Sequence, residues 1–260
     1  MRSRIFQLAR SGVDRIRRTD YLVLSAVLAV LIFSGIFVEV ADRVVGGTSQ
    51  RLDDWTLRAL RQQSDPSKPL GPIWLQENIR DLTALGGFPV LLIVTTAVVV
   101  YLWLCRTYHA MWLILGSAIG GQLLNILLKS FFDRPRPDLL LHLMRAENSS
   151  FPSGHSMNAA GVYLTLGLLL ARLTDHHRLK VYYLTLATLL TLLVGASRVY
   201  LGVHYPTDVL AGWAAGAAWA AACWLLAGYL QRQGAVEQHP NEPVDDPSLD
   251  APTTSSEPSS

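Results

Sequence analysis

Long apolar runs, nearly free of charge, alternate along this chain with short polar junctions. Charges gather at 1–20, 41–81, 129–145, 172–180 and 232–257, and the stretches between are long enough to matter. A helix needs about 20 residues to cross the hydrocarbon core of a bilayer. Six runs meet or approach that length: about 21–40, 85–105, 111–129, 155–171, 181–198 and 206–230. They lack the strict alternation of a membrane β-strand, so the helix is the element that satisfies their backbone in lipid. The pattern predicts an all-α polytopic membrane protein, six transmembrane helices forming a bundle.

The junctions carry their own patterns. Residues 41–84 repeat at helical spacing, with Leu52, Trp55, Ala59 and Leu60 on one face and Leu75, Ile79, Leu82 and Leu85 on another. One or two interfacial helices lying on the membrane surface are expected there, with Trp55 and Trp74 at headgroup level and a role as lid or entry surface in view. In the last run Gly212, Gly216 and Ala220 form a small-residue stripe suited to close helix contact. The organisation read from this pattern is a basic N-terminus at 1–20, a six-span domain at 21–230 containing the 41–84 segment, and a Pro-, Ser- and acid-rich tail at 231–260 expected to be disordered.

Composition and charge narrow the partners. The net charge of +2 comes with no basic face or stripe, so no nucleic-acid partner is expected. Six arginines precede the first run, which is too long for a cleaved signal and lacks an A-x-A-like site; an uncleaved anchor fits. Six spans put both termini on one side. Lysine and arginine divide eleven to eleven between the two sides, but six of the first eleven crowd into residues 1–18. That crowding favours cytoplasmic termini, with the other loops outside a bacterial inner membrane. Cys105 and Cys223 are expected to be small buried hydrophobes rather than a disulfide or metal ligands.

The loops after the first, third and fifth spans face one compartment. Two of these carry the polar clusters KSFFDRPRP followed by FPSGH, and SRVYLGVHYPTD. Lys129, Arg136 and Arg198 are three cationic donors; guanidinium binds phosphate oxygens as a fork and ammonium as a point charge. Ser153 is placed to cap the fourth span, Gly154 permits close backbone approach, and the helix N-terminus there offers free N–H groups to an anion. With no carboxylate cluster or Cys/His set in view, no metal or cofactor is expected, and the cations supply the charge neutralisation. Asp208 follows His204 by four residues, a spacing at which it can fix the ring tautomer and free the other nitrogen to attack phosphorus. His155 could protonate the leaving oxygen. This spacing tilts the nucleophile toward His204 without deciding it against His155.

Lys129-x6-Arg136-Pro137, Pro152-Ser153-Gly154-His155 and Ser197-Arg198-x5-His204-x3-Asp208 resemble the three signature motifs of the type 2 phosphatidic acid phosphatase (PAP2) superfamily, in the family's order and without departure. The resemblance implies a six-helix core and a metal-free lipid phosphatase acting on phosphomonoesters or diphosphates, such as phosphatidic acid, phosphatidylglycerol phosphate or undecaprenyl diphosphate. It implies Lys129, Arg136 and Arg198 as phosphate ligands assisted by Ser153 and the Gly154 amide, with His204 as nucleophile, Asp208 as its partner and His155 as general acid. A competing reading is a phosphorylated-lipid transporter using the same cationic pocket without hydrolysis. It lacks the broken helices and repeats common in transporters. A soluble haloperoxidase-like relative is disfavoured by the six apolar runs. Arg134 is read here as a surface charge meeting lipid headgroups rather than a contact behind the phosphate site. Tyr200 and Tyr205 are read as interface markers, and Asp133 and Asn158 stay open. His109, His176 and His177 are read as solvated loop residues, and His142 and His239 carry no role. Nothing in the sequence sets the oligomeric state.

Overall fold

A computed structural model describes the backbone over residues 2–137 and 149–232, and side chains over 21–137 and 149–229. The expectations for the tail beyond 232, for His142 and His239, and for the side chains of the basic N-terminus fall outside the described residues. The described chain is helical: α1 Arg2–Val45, α2 Gln50–Ala59, α3 Ile73–Ala84, α4 Phe88–Leu104, α5 Tyr108–Phe131, α6 Gly154–Ala159, a π-helical turn Ala160–Leu164, α7 Thr165–Arg172, α8 His177–Tyr200 and α9 Pro206–Arg232.

Four of these are long and apolar enough to cross a membrane: α1 over Tyr21–Val45, α5, α8, and α9 over Pro206–Tyr229. The α3–α4 pair qualifies as a fifth when taken together, bent by 47° at the Leu85–Gly87 break. The expected fourth run, 155–171, is divided among α6, the π turn and α7, none of which has crossing length alone. The extra residue of a π turn shifts the face that follows it.

Much of what is buried is small or polar, and much of what is exposed is large and apolar. Ala159, Ala160, Ala211, Ala214 and Ala220 are all but fully buried, whereas Leu24, Leu31, Ile93, Trp103, Trp112 and Leu189 lie outward. Lipid tails are as apolar as leucine, so helices there gain by close van der Waals contact through small residues. The Gly212–Gly216–Ala220 stripe does this work. A methyl group on Gly212 would come within 2.7 Å of the Ser153 carbonyl oxygen and 3.1 Å of the Met157 amide, so α9 rests directly on α6. Tryptophan N–H groups bridge the other seams, Trp213 to the Thr191 carbonyl at 3.0 Å and Trp219 to the Ser117 carbonyl at 2.9 Å.

The helix α2 presents its apolar face outward. Leu52 and Trp55 point away from the protein, while Asp53 and Leu57 are buried. An aromatic cluster of Phe37, Phe132 and Phe151 ties α1 to the loop before α6, with centroids 4.8–6.3 Å apart. Cys223 is buried as expected, but Cys105 is exposed at the end of α4; both are free.

Candidate active site

The polar motifs meet at one end of the bundle. Lys129 sits in the last turn of α5, Arg198 in the last turn of α8, and Asp208 in the first turn of α9. Ser153 caps α6, and His204 lies in the turn between α8 and α9. Lys129 is within Coulombic reach of Arg136, Arg198 and Asp208, and His155 of Arg198, His204, Lys129 and Arg136. All eight residues singled out in the sequence are brought to this end of the bundle, although they come from six segments.

Local structure explains each placement. The Ser153 hydroxyl accepts weakly from the Ser156 amide at 3.5 Å and more closely from the Ser156 hydroxyl at 2.9 Å, and the Ser153 amide donates to the Asp208 carbonyl at 3.0 Å. The cap thus holds both the start of α6 and its seat on α9. Gly154 is needed for space: a methyl group there would approach the Asn125 amide nitrogen to 3.0 Å and the Lys129 Cε to 3.6 Å. His155 packs against the Gly86–Gly87 break, its Nε2 lying 3.7 Å from where a Gly87 methyl would stand. Arg198, 7% exposed, donates to the Thr83 hydroxyl of α3 at 3.2 Å, and its Nε has no partner among the described residues.

His204 is 2% exposed and its Nδ1 lies 3.4 Å from Asp208 Oδ2. That oxygen also accepts from the Tyr205 amide at 3.0 Å. Burial, opposed by Asp208 and reinforced by Arg198 and Arg136, pushes the His204 imidazole down to about 4. The ring is therefore neutral at physiological pH, with Nδ1 directed at Asp208 and Nε2 available. Burial likewise presses the Arg136 guanidinium below its ordinary value, partly offset by Asp208. Three cations converging in a partly buried site repel one another, and their repulsion is relieved by an anion bound among them.

Arg134 is not a headgroup charge. Its side chain is 9% exposed, and it donates to Asp208 Oδ1 at 2.6 Å, to Thr207 Oγ1 at 2.8 Å and to Asp53 Oδ2 at 2.7 Å. Burial works against its charge, yet Asp208 and Asp53 outweigh it and hold the guanidinium above its ordinary value. Tyr205 is likewise buried rather than interfacial, its ring 4.1 Å beneath the Arg134 guanidinium. Tyr200 donates to the Leu70 carbonyl of the α2–α3 loop, a fixed role rather than a headgroup marker. Asn158 donates to Gln122 at 2.8 Å, a helix-to-helix contact, and Asp133 is exposed. Asp53 and Thr83 were not singled out from sequence. The one signal for Asp53 was an acid interrupting an amphipathic helix, a signal that a solvated face gives equally well.

The comparisons with known proteins agree with this geometry. The PAP2 superfamily model matches residues 109–232. Phosphatidylglycerophosphatase B of Bacillus subtilis is 37% identical over 150 residues, which cover 55% of this chain and 70% of that protein. The decaprenylphosphoryl-5-phosphoribose phosphatase of Mycobacterium tuberculosis is 32% identical over 125 residues, covering 46% of this chain and 64% of that one. Among solved structures, the transmembrane PAP2-type phosphatidylglycerolphosphate phosphatase from Bacillus subtilis superposes with a TM-score of 0.61 at 29% identity, covering 80% of this chain and 96% of the other. Motifs, fold and relatives coincide, and the chain belongs to the PAP2 superfamily, as an integral membrane lipid phosphatase of the phosphoric monoester hydrolase class.

Proposed function

We propose that the protein removes the phosphate of a phosphorylated glycerolipid, phosphatidylglycerol phosphate foremost, through a phosphohistidine on His204. The observation that carries this reading is the convergence of Lys129, Arg136 and Arg198 beside a buried neutral histidine whose Nδ1 is paired with Asp208. The glycerolipid preference draws on the named activity of the Bacillus relatives. Lys129, Arg136 and Arg198 take the non-bridging oxygens, with the Ser153 hydroxyl and Gly154 amide beside them. His204 Nε2 attacks phosphorus while the bond from phosphorus to the lipid oxygen breaks. His155, as imidazolium, gives its proton to the departing alkoxide. The substrate's own negative charge admits that imidazolium among three cations. Neutral His155 then takes a proton from water, whose oxygen attacks the phosphohistidine, releasing inorganic phosphate and restoring His204.

In the membrane, six crossings formed by α1, α4 with α3 bent onto it, α5, the α6–α7 column, α8 and α9 place both termini together. The arginines before the first span favour the cytoplasm for them and the outer face of a bacterial inner membrane for the site. The domain spans 21–230, with 41–84 covering the site from outside.

The test is inorganic phosphate release by the purified protein in detergent with EDTA present, from phosphatidylglycerol phosphate, phosphatidic acid and undecaprenyl diphosphate. The expected result is turnover of the glycerolipid monoesters ahead of the diphosphate, unchanged by EDTA, and absent in His204→Ala. Faster turnover of the diphosphate would overturn the substrate assignment, loss to EDTA the metal-free chemistry, and full activity in His204→Ala the nucleophile.

A further inference from the structure

Asp208 has two oxygens, and the proposed chemistry uses one of them. Oδ2 faces His204 and the Tyr205 amide, whereas Oδ1 is taken by Arg134 at 2.6 Å. Arg134 is in turn fixed on every side. Asp53 of α2 meets it at 2.7 Å, Gln50 at 3.2 Å and Thr207 at 2.8 Å, and the Tyr205 ring lies flat beneath it. Asp53, with no exposed surface, also accepts from the Thr207 amide at 3.1 Å and the Thr207 hydroxyl at 2.6 Å. The circuit is closed: α2, the loop before α6, and the first turn of α9 are joined by two carboxylates that share one guanidinium.

We propose that Arg134 and Asp53 are positioning residues of the phosphatase, acting through Asp208 to orient and electrically balance His204, so that the 41–84 segment is a working part of the site. Arg134 is not free to bind phosphate, since both of its terminal guanidinium nitrogens are spent on two carboxylates, the Thr207 hydroxyl and the Gln50 amide oxygen. Arg134 draws on the charge of Asp208, and Asp53 draws on the charge of Arg134. Removing Arg134 leaves the full carboxylate charge to His204, while neutralising Asp53 turns Arg134 more fully onto Asp208. The two changes therefore act on His204 with opposite sign. The other groups facing His204 and Asp208 are Arg198 from α8, Arg136 from the loop, Lys129 from α5 and His155 from α6, and they stay in place in both variants.

This inference rests on His204 being the nucleophile. The experiment is the pH profile of kcat/KM, with separate kcat and KM, for phosphatidylglycerol phosphate in detergent micelles, using Arg134→Gln, Arg134→Lys, Asp53→Asn and the parent protein. The expected result for Arg134→Gln is a kcat lower by roughly 10- to 100-fold, KM within about twofold, and an acid limb moved up by about one pH unit. Asp53→Asn moves the acid limb down, and Arg134→Lys moves it up by less than Arg134→Gln does, because an ammonium cannot serve both carboxylates as a fork does. A purely structural clamp predicts lower yield and melting temperature with an unmoved acid limb in all surviving variants, and that result overturns the proposal. Should Arg134→Gln fail to fold, Arg134→Lys and Asp53→Asn carry the same comparison. Loss of the underlying reading is seen separately, as activity retained in His204→Ala.

Discussion

Two junctions in this protein use one backbone device to opposite ends. The α4–α5 turn and the α8–α9 turn both close their helix with a residue in the left-handed region, Arg106 at φ 58° and Gly202 at φ 72°. In each, the amide after that residue reaches back five positions, Thr107 to the Leu102 carbonyl at 3.0 Å and Val203 to the Arg198 carbonyl at 3.2 Å. In each, the left-handed residue itself donates three positions back, Arg106 to Trp103 at 3.0 Å and Gly202 to Val199 at 2.9 Å. This is the Schellman arrangement twice over. Yet Cys105 and Arg106 are exposed, whereas Gly202 through Tyr205 are buried. The first turn is complete in itself and tolerates a side chain pointing at solvent. The second is covered by the 41–84 segment, and Arg61 occupies the space where a side chain at 202 would go. The turn that holds His204 is specified by tertiary neighbours, and the exposed α4–α5 turn is specified by its own hydrogen bonds.

The sharpest way to break this contrast is at the buried junction. Asp208→Asn should lower kcat by roughly 10³-fold, the order expected when a histidine loses the carboxylate that sets its tautomer. Phosphate release by monodisperse protein measures it, and a loss under tenfold would separate Asp208 from His204. The pH dependence follows. Because the folded imidazole is held at about 4 and the unfolded one near 6.5, the unfolded chain binds the extra proton between those values. The stability contributed by neutral His204 is present above about pH 6.5 and is lost as the pH falls toward 4. The fall in stability should accordingly run from about pH 6.5 down to 4, and a melting temperature that His204→Ala leaves with an unchanged pH dependence over that range would refute the burial argument. Gly202→Ala should destabilise by about 2 kcal/mol or more, from a left-handed alanine and a displaced Arg61, read as a drop in melting temperature. Arg106→Gly should do the reverse, stabilising by no more than about 1 kcal/mol and leaving turnover unchanged. Equal effects at the two turns would erase the distinction.

Much of this was legible in the sequence. The apolar runs locate α4, α5, α8 and α9 to within a few residues, because in lipid the backbone must satisfy itself and length alone nearly defines the element, whereas α1 runs on through the basic segment to Arg2. Ser153 as a cap and the His204–Asp208 pairing were legible because both act within one turn of helix. Arg134 was misread for the opposite reason. Its partners lie 74 and 81 residues away, and no local spacing distinguishes a guanidinium bound by two carboxylates from one bound by headgroups. The outward apolar face of α2 was legible as that of an interfacial helix, whereas the burial of Asp53 on its other side was not. Beside a membrane the lipid competes for Leu52 and Trp55, and the protein keeps Asp53. The division of the 155–171 run by a π turn left no mark in its hydropathy.

The clamp around Arg134 also dictates when the protein becomes an enzyme. Asp53 emerges from the ribosome long before its partner Thr207, which stands 154 positions later, and Asp208 follows Arg134 by 74. Until the last helix enters the membrane, Asp53 and Arg134 have each other but neither Thr207 nor Asp208, and the histidine beside the cations has not been made. A chain interrupted just before the α8–α9 turn holds most of its apolar helices and lacks both His204 and Asp208. Hydrolysis of the surrounding lipid is thus the final property the polypeptide acquires, after its anchorage is complete.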